Sequence, residues 1–204
     1  MEIYSTEEQQ AEAIKNFFRE NGTSLIIGAV LGLGGLYGWK AYNQNQISTA
    51  EASSEAYNTL IESGEVLSKS DAFMADNADS NYSVLAAFVA AREAVEAGEL
   101  EQAATKLTFV ADTVKSPELK ATALLRLARV QASQGNYDQA LSTLSQPMPA
   151  GFTAQVAEVK GDIYLSQGEK NKAREQYQAA IDADGAKNNA LLQIKLDDLA
   201  IASN

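Results

Sequence analysis

The feature that most constrains this chain is a stretch of nineteen uncharged residues near its start. Between Glu20 and Lys40 the sequence reads NGTSLIIGAVLGLGGLYGW. As a helix that rises about 1.5 Å per residue, the stretch spans about 28 Å, close to the roughly 30 Å of a bilayer's hydrocarbon core. No other part of the sequence is comparably apolar. We therefore predict a transmembrane helix over residues 22–39 rather than the buried helix of a soluble core.

The residues that flank this stretch indicate an uncleaved signal anchor and an orientation. A secretory signal peptide has a basic start and a small-residue cleavage site, whereas here about twenty residues come first, whose charged side chains are mostly acidic, and Lys40 follows. Aromatic rings such as Phe18 and Trp39 suit the two membrane interfaces. Lys15 and Arg19 precede the helix and Lys40 alone follows it, which favours a cytoplasmic N-terminus.

Glycine is frequent within the predicted span. Six glycines fall among the seventeen residues from Gly22 to Gly38. Small residues spaced by three or four share one helical face: Ser24, Gly28, Gly32 and Gly35. This spacing lets membrane helices approach closely, although glycine is also common in membrane helices generally. We interpret the stripe as a transmembrane packing face for another helix, from a second copy of the chain or from a different protein.

The segments on either side of the span are predicted to be helical in part. Residues 1–21 form a short cytoplasmic segment, in which Ser5 to Glu8 has the spacing of a helix capping box. An amphipathic surface helix follows, with an apolar face made by Ala11, Ile14, Phe17 and Phe18. Residues 40–81 form a helical stalk and then a loop, because Ser, Asp and Asn replace the helical pattern between Ser68 and Asn81.

The remainder of the chain, residues 82–204, contains an internal repeat. A glycine followed five residues later by an alanine recurs at Gly98, Gly135 and Gly168, which are 37 and then 33 residues apart. The glycine closes one helix and the alanine lets the next helix pack closely, so each copy predicts a helical hairpin. A period of roughly 34 residues is typical of tetratricopeptide repeats. We predict an all-α chain whose soluble part is a tetratricopeptide-like solenoid; the alternative is an ordinary helical bundle with an accidental recurrence.

The array is expected to be irregular in its middle and capped at its end. Pro147 and the residues that follow it, up to Phe152, interrupt the second helix of the middle unit. A final helix from Asn188 to Ala202 carries Asp197 and Asp198 on its outward side. Stacked repeats need such a polar terminal cap.

A candidate protein-binding groove follows from the repeats, because the first helices of stacked hairpins line a concave face. The repeat alignment projects seven residues onto this face: Phe88, Arg92, Leu125, Arg129, Glu158, Asp162 and Leu165. Arg92 and Arg129 occupy equivalent positions, which suits an acidic side chain or a C-terminal carboxylate of an extended peptide. Alternatively, these arginines are solvated or pair with neighbouring acids such as Glu93 and Glu96.

Composition excludes several classes of function. The sequence contains no cysteine and no histidine, which excludes Cys/His and Ser/His nucleophile pairs and the usual zinc sites. The formal net charge is −11, with acidic residues spread along the chain, so nucleic acid is not an expected partner. We predict no catalytic residue, no metal, no cofactor and no small-molecule substrate.

A specific signature marks the N-terminus. It comprises the start MEIY, the run FFRENG from Phe17 to Gly22, the glycine-rich anchor, and Gly38-Trp39 before a basic residue. In these motifs and over its whole length the chain resembles the YfgM family, the ancillary SecYEG translocon subunits. The resemblance implies a single-pass protein of the bacterial inner membrane with a cytoplasmic N-terminus and a periplasmic repeat domain. The implied partners are the SecYEG translocon, a PpiD-like periplasmic chaperone and emerging polypeptides; the resemblance transfers no binding residue.

Two functional hypotheses follow. The first is a non-enzymatic adaptor, whose repeat domain links emerging polypeptides to the periplasmic chaperone network. The alternative is a self-associating inner-membrane scaffold, in which the glycine stripe joins copies of the anchor into a homo-oligomer. Large residues placed at Gly28 and Gly32 would distinguish the two, because only the scaffold requires self-association through this face.

Overall fold

The chain is helical throughout the computed structural model, which describes residues 7–187 and 189–201. Within these residues no strand occurs, and two short 3-10 helices, Ala150–Phe152 and Gly185–Lys187, accompany the α-helices. The α-helices are α1 (Glu7–Glu62), α2 (Val66–Asp76), α3 (Asn81–Glu96), α4 (Leu100–Thr113), α5 (Pro117–Ser133), α6 (Tyr137–Thr143), α7 (Thr153–Ser166), α8 (Lys170–Asp182) and α9 (Ala190–Ile201). The prediction of an all-α chain is confirmed.

Packing divides the chain into two units, one that extends through Ala52 and one that begins at Ser53. The first unit consists of the greater part of α1, and its large apolar side chains, such as Ile26, Leu31 and Leu36, are exposed. Among the described residues, α1 is the one helix long and apolar enough to cross a membrane, and none of its apolar window is buried within the protein. Lipid stabilises such a surface and water does not, so α1 is the candidate membrane span.

The N-terminal part of α1 is not a separate element. The helix begins at Glu7 and continues without a break through the predicted surface segment and the predicted span. The first two residues of the predicted capping box, Ser5 and Thr6, lie outside the described residues. The limits of the membrane span, residues 22–39, stay a prediction.

Helix α2 corrects the predicted loop between Ser68 and Asn81. It occupies Val66–Asp76, and its buried residues include Val66, Phe73 and Met74. These apolar positions are separated by Ser, Lys and Asp, which conceals the helical periodicity in the sequence. A turn at Gly64, where φ is +65°, joins α1 to α2, and the Tyr57 ring near the end of α1 lies 6.2 Å from the Phe73 ring of α2, centroid to centroid. The packed unit therefore begins at Ser53, ahead of the predicted domain start at residue 82.

The three predicted hairpins each turn at the expected glycine. Gly98, Gly135 and Gly168 have φ between +78° and +81°, a conformation that glycine adopts without the steric cost of a Cβ. At the first turn the Gly98 N–H donates to the Val95 carbonyl at 3.1 Å and the next N–H, of Glu99, donates to the Ala94 carbonyl at 2.8 Å, and equivalent pairs close the other two turns. This is the Schellman arrangement, which satisfies the last carbonyls of the preceding helix.

The small residues five positions after these glycines also have the predicted role. Ala103, Ala140 and Ala173 are completely buried where the second helix of each hairpin meets the first. A larger side chain would hold the two helices apart. With glycine turns and alanine contacts in place, the tetratricopeptide-like prediction is confirmed.

The middle and the end of the array also match expectation. Helix α6 has only seven residues and ends before Pro147 and Pro149, as the sequence predicts. Helix α9 begins at Ala190 and packs Leu192 and Leu199 into the core, while Asp197 and Asp198 are exposed. Asn188 and Ala202, the predicted ends of this helix, lie outside the described residues.

Candidate protein-binding groove

Three of the predicted groove residues lie around one cavity between α3 and α5. The cavity has a volume of about 490 Å³, and we call it the arginine groove. Its lining comes mainly from α3 and α5, with one residue from α4, and consists of Phe88, Val89, Ala91, Arg92, Val95, Leu107, Arg126, Arg129 and Val130. The structure thus brings together Phe88, Arg92 and Arg129 from the sequence prediction, and it adds Arg126.

The floor of the arginine groove is apolar. Phe88 is half-buried against two clusters of core residues, and Val130 is buried beside it in the second of these clusters. Val95 keeps 45% of its surface exposed at the edge. An apolar side chain placed here would exchange water for carbon contacts, at about 25 cal/mol per Å² of surface removed from water.

The three arginines of the lining lie around this floor, and they differ in their partners. The guanidinium carbon of Arg126 lies 5.0 Å from the centroid of the Phe88 ring, a cation–π geometry. Arg92 pairs with Glu96 at 3.5 Å, where both side chains are 67% exposed, so the pair contributes only about 0–1 kcal/mol. Among the described residues no carboxylate lies within 4.0 Å of Arg126 or Arg129. The pairing considered from the sequence thus occurs for Arg92 and not for Arg129.

Arg129 also lines a second cavity, between α5 and α7. This cavity has a volume of about 300 Å³ and contains the predicted residue Asp162; its lining is Arg129, Ala132, Ser133, Val159, Asp162, Ile163 and Ser166. Arg129 lines both cavities, and the first helices of three successive hairpins, α3, α5 and α7, contribute to their linings. Leu165 is exposed on α7 and lines neither of them.

Leu125 is a correction to the predicted groove. Only 5% of its surface is exposed, and it packs with Ala128, Val159 and Ile163 in the core between α5 and α7. The repeat alignment places it one residue from the exposed Arg126, and one residue on a helix turns the side chain by about 100°. Its role is therefore packing between repeats.

Glu158 and Asp162, the predicted acidic end of the groove, are bound to the last helix. Lys195 of α9 places its Nζ 2.9 Å from Glu158 Oε1 and 2.8 Å from Asp162 Oδ1. The side-chain amide of Asn189 donates to both Glu158 oxygens, at 2.9 and 3.0 Å. The Tyr177 hydroxyl donates to Asp162 at 2.7 Å. We call these five residues the cap network; its carboxylates are satisfied within the chain.

The cap network shifts the pKa values of two of its members. Burial raises the pKa of Tyr177, and its hydrogen bond to the Asp162 carboxylate raises it further. Burial alone would lower the pKa of Lys195, but hydrogen bonds and charge from Asp162 and Glu158 outweigh it, so the pKa lies above its ordinary value. Both groups therefore keep their protons at neutral pH and hold the carboxylates in place.

The predicted transmembrane packing face lies on α1. At Gly28, Gly32 and Gly35 an added Cβ would meet no atom of the described chain within 4 Å. The stripe formed by Ser24 and these glycines is thus not filled by the rest of this chain, as far as it is described. Its role as a packing face stays a prediction.

Comparisons with known proteins agree with this architecture. A family model described as a tetratricopeptide repeat-like domain matches residues 15–201. An ancillary SecYEG translocon subunit of Escherichia coli strain K12 is 37% identical, over 98% of this chain and 100% of that protein. Proteins of the same name from Haemophilus influenzae and Neisseria gonorrhoeae are 30% and 26% identical, over 95% and 98% of this chain and 97% and 100% of their own lengths. A match over nearly the whole length places repeats and anchor in one family: the chain belongs to the tetratricopeptide repeat-like family of the ancillary SecYEG translocon subunits.

Proposed function

We propose that this protein is a non-enzymatic adaptor at the SecYEG translocon of the bacterial inner membrane. In this function α1 anchors the chain with its N-terminus in the cytoplasm, and the repeats in the periplasm link emerging polypeptides to a PpiD-like chaperone. The main support is the arginine groove, an apolar cavity of about 490 Å³, at whose edge two guanidinium groups have no acidic partner among the described residues. The names of the relatives support the translocon as the place of action.

Binding rather than catalysis fits the chemistry of the groove. Its lining consists of apolar side chains and arginines, which can hold a chain but do not supply a nucleophile paired with a general base. Cysteine and histidine, the commonest residues for that task at neutral pH, are absent from the sequence. Helical-repeat domains present extended concave surfaces of this kind to other proteins.

The orientation is supported by the charges that flank the span. Lys15 and Arg19 precede it and Lys40 follows it, which favours a cytoplasmic N-terminus. Protease added to spheroplasts should therefore degrade the unit that begins at Ser53 and leave a fragment that contains the anchor. A repeat domain that stays intact until the inner membrane is opened would contradict the periplasmic assignment.

Photocrosslinking in cells tests the adaptor function. A photoreactive residue at Val95, exposed at the edge of the groove, should capture translocating chains or a chaperone. The matched control is Leu119, which is similarly exposed on α5 but does not line the groove. Equal adducts at both positions, or none at Val95, would argue against client binding in the groove. Co-purification of the translocon tests the membrane partner separately.

A self-associating scaffold is the second candidate, and the open glycine stripe of α1 favours it. An added Cβ at Gly28 or Gly32 meets no atom of the described chain within 4 Å, so we expect larger residues there to act mainly on partner helices. The adaptor function predicts that Gly28→Leu with Gly32→Leu weakens co-purification with the translocon. Loss of self-association with translocon binding intact would favour the scaffold.

A further inference from the structure

Arginine is concentrated at one place in an acidic protein. The sequence has five arginines, Arg19, Arg92, Arg126, Arg129 and Arg174, and the formal net charge is −11. Three of the five line the arginine groove. A local cluster of cations within a chain of opposite net charge favours an anionic ligand at that place.

The guanidinium groups are arranged so that their donors remain available. Arg126 lies with its guanidinium carbon 5.0 Å from the Phe88 ring centroid, which holds this cation at the apolar floor. A guanidinium carries its N–H donors in the plane of the group, so contact with a ring leaves donors at its edge for a carboxylate. Arg129 has no acidic partner among the described residues, and the pair between Arg92 and Glu96 is exposed and long.

The surroundings discriminate among anions. The floor made by Phe88 and Val95 suits an apolar side chain, which inorganic phosphate lacks. Beyond Arg129, the second cavity carries Asp162, whose oxygens already accept bonds from Tyr177 and Lys195. A polyanion that extends along both cavities would meet this carboxylate. The charge pattern therefore suits a ligand whose negative charge is confined to the arginine end.

We infer that the arginine groove binds a segment of another polypeptide in which carboxylates flank a large apolar side chain. The inference rests on the proposed adaptor function and names the chemistry of the segment that it binds. The apolar side chain lies against Phe88 and Val95, and the flanking carboxylates accept hydrogen bonds from Arg126 and Arg129. Uncharged residues of the segment continue toward Asp162.

Peptide binding to the full chain tests the inference directly. The chain is placed in nanodiscs of zwitterionic lipid, and fluorescence anisotropy follows a fluorescein-labelled peptide whose centre reads Asp-Phe-Asp. Matched peptides with Asn-Phe-Asn and Asp-Ala-Asp at the centre remove either the charge or the ring. We expect each matched peptide to bind at least about tenfold more weakly, because each loses either charge-assisted hydrogen bonds or the apolar contact.

Variants of the protein test the same contacts from the other side. Arg126→Gln and Arg129→Gln should each weaken binding of the Asp-Phe-Asp peptide about tenfold. Arg174→Gln is the matched control, since this exposed arginine lies on α8, outside the groove lining. Thermal unfolding of each variant verifies that it is folded. Equal affinity of the Asp and Asn peptides, or equal loss with Arg174→Gln, would overturn the inference.

Two further outcomes separate this inference from others. Vesicles that contain phosphatidylglycerol should not displace the peptide. If they displace it from the unmodified protein but not from Arg126→Gln, the groove binds lipid headgroups and the inference is overturned. In cells, adducts at Val95 that persist unchanged in the Arg126→Gln, Arg129→Gln double variant would overturn the inference and leave the adaptor function standing. Absence of adducts in the unmodified protein would instead contradict the adaptor function itself.

Discussion

The arginine groove and the cap network lie on successive first helices of the repeats, but they use their charges in opposite ways. In the groove, Arg126 and Arg129 have no acidic partner among the described residues. In the cap network, Glu158 and Asp162 accept hydrogen bonds from Asn189, Tyr177 and Lys195. The repeat alignment projects Arg129, Glu158 and Asp162 onto one face. We therefore propose that equivalent repeat positions are available for binding where the face is open and contribute to stability where a further helix covers it.

The physical reason for this difference between the two regions is the solvation of their charges. Arg126 and Arg129 are exposed, so water satisfies their charges until a ligand arrives. Glu158 is largely buried beneath α9, and a buried carboxylate without partners would cost several kcal/mol. The last repeat therefore requires its counter-charge from within the chain.

The largest expected effect is at the packed end of the molecule. An added Cβ at Gly161 would overlap the ring of Tyr177, which is fully buried and cannot easily move. We expect Gly161→Ala to lower the free energy of unfolding of the last repeats by about 1–3 kcal/mol. Urea unfolding followed by circular dichroism measures it. Gly151→Ala is the control, since no atom lies within 4 Å of that position, and equal effects of the two changes would contradict the packing argument.

Removal of the cation from the cap network should have the next largest effect. Lys195→Met leaves Glu158 and Asp162 without their positive partner, but the lysine side chain is 33% exposed, so we expect about 1–2 kcal/mol rather than the larger cost of a fully buried pair. The same unfolding experiment applies. Lys187→Met, which breaks an exposed pair with Asp184, should change stability by less than about 0.5 kcal/mol. If the two variants behave alike, the cap network is not a source of stability.

Alkaline pH should weaken the cap network and leave the arginines charged. The folded-state pKa values of Tyr177 and Lys195 lie above their unfolded values, so their contribution to stability is complete below about pH 10 and is lost as pH rises further. The urea concentration at the unfolding midpoint should therefore decrease as the pH is raised above about 10. This fall should be shallower in Lys195→Met than in the unmodified protein. An identical pH profile for both proteins would show that the loss of stability at high pH does not come from the cap network.

The smallest effect on stability is expected in the groove. The double change Arg126→Gln, Arg129→Gln removes two exposed side chains that have no acidic partner among the described residues, and it also removes the cation–π contact of Arg126 with Phe88. The free energy of unfolding should therefore change by less than about 1 kcal/mol. Differential scanning calorimetry measures this change. A loss above about 1 kcal/mol would show that these arginines have a structural role, and it would remove the contrast with the cap network.

The hairpins could be predicted from the sequence because their determinants are local. Gly98, Gly135 and Gly168 set a backbone turn that glycine adopts most easily, and the alanine five residues later sets the helix contact. Helix α2 could not be predicted so simply. Its buried Val66 and Phe73 are separated by polar residues, and their burial depends on helices that come later in the chain.

The groove could be predicted only in part for a related reason. Repeat equivalence identified Arg92 and Arg129, but the rotation of each helix about its axis decides that Arg126 lines the cavity and Leu125 is buried. That rotation is fixed by packing between repeats. The partners of Glu158 come from Asn189 and Lys195, in a region without a repeat signal.

The glycine turns also determine the order in which the molecule can fold. Each turn joins two helices that are neighbours in sequence, so most packing forms between segments fewer than about 40 residues apart, which favours rapid and sequential folding. As the chain is synthesised, each hairpin can form once its second helix is available and can pack on the hairpin before it. Among the described helices, α9 is the last to be synthesised. We therefore expect the arginine groove to be complete while the other end of the array is still open, before the cap network closes.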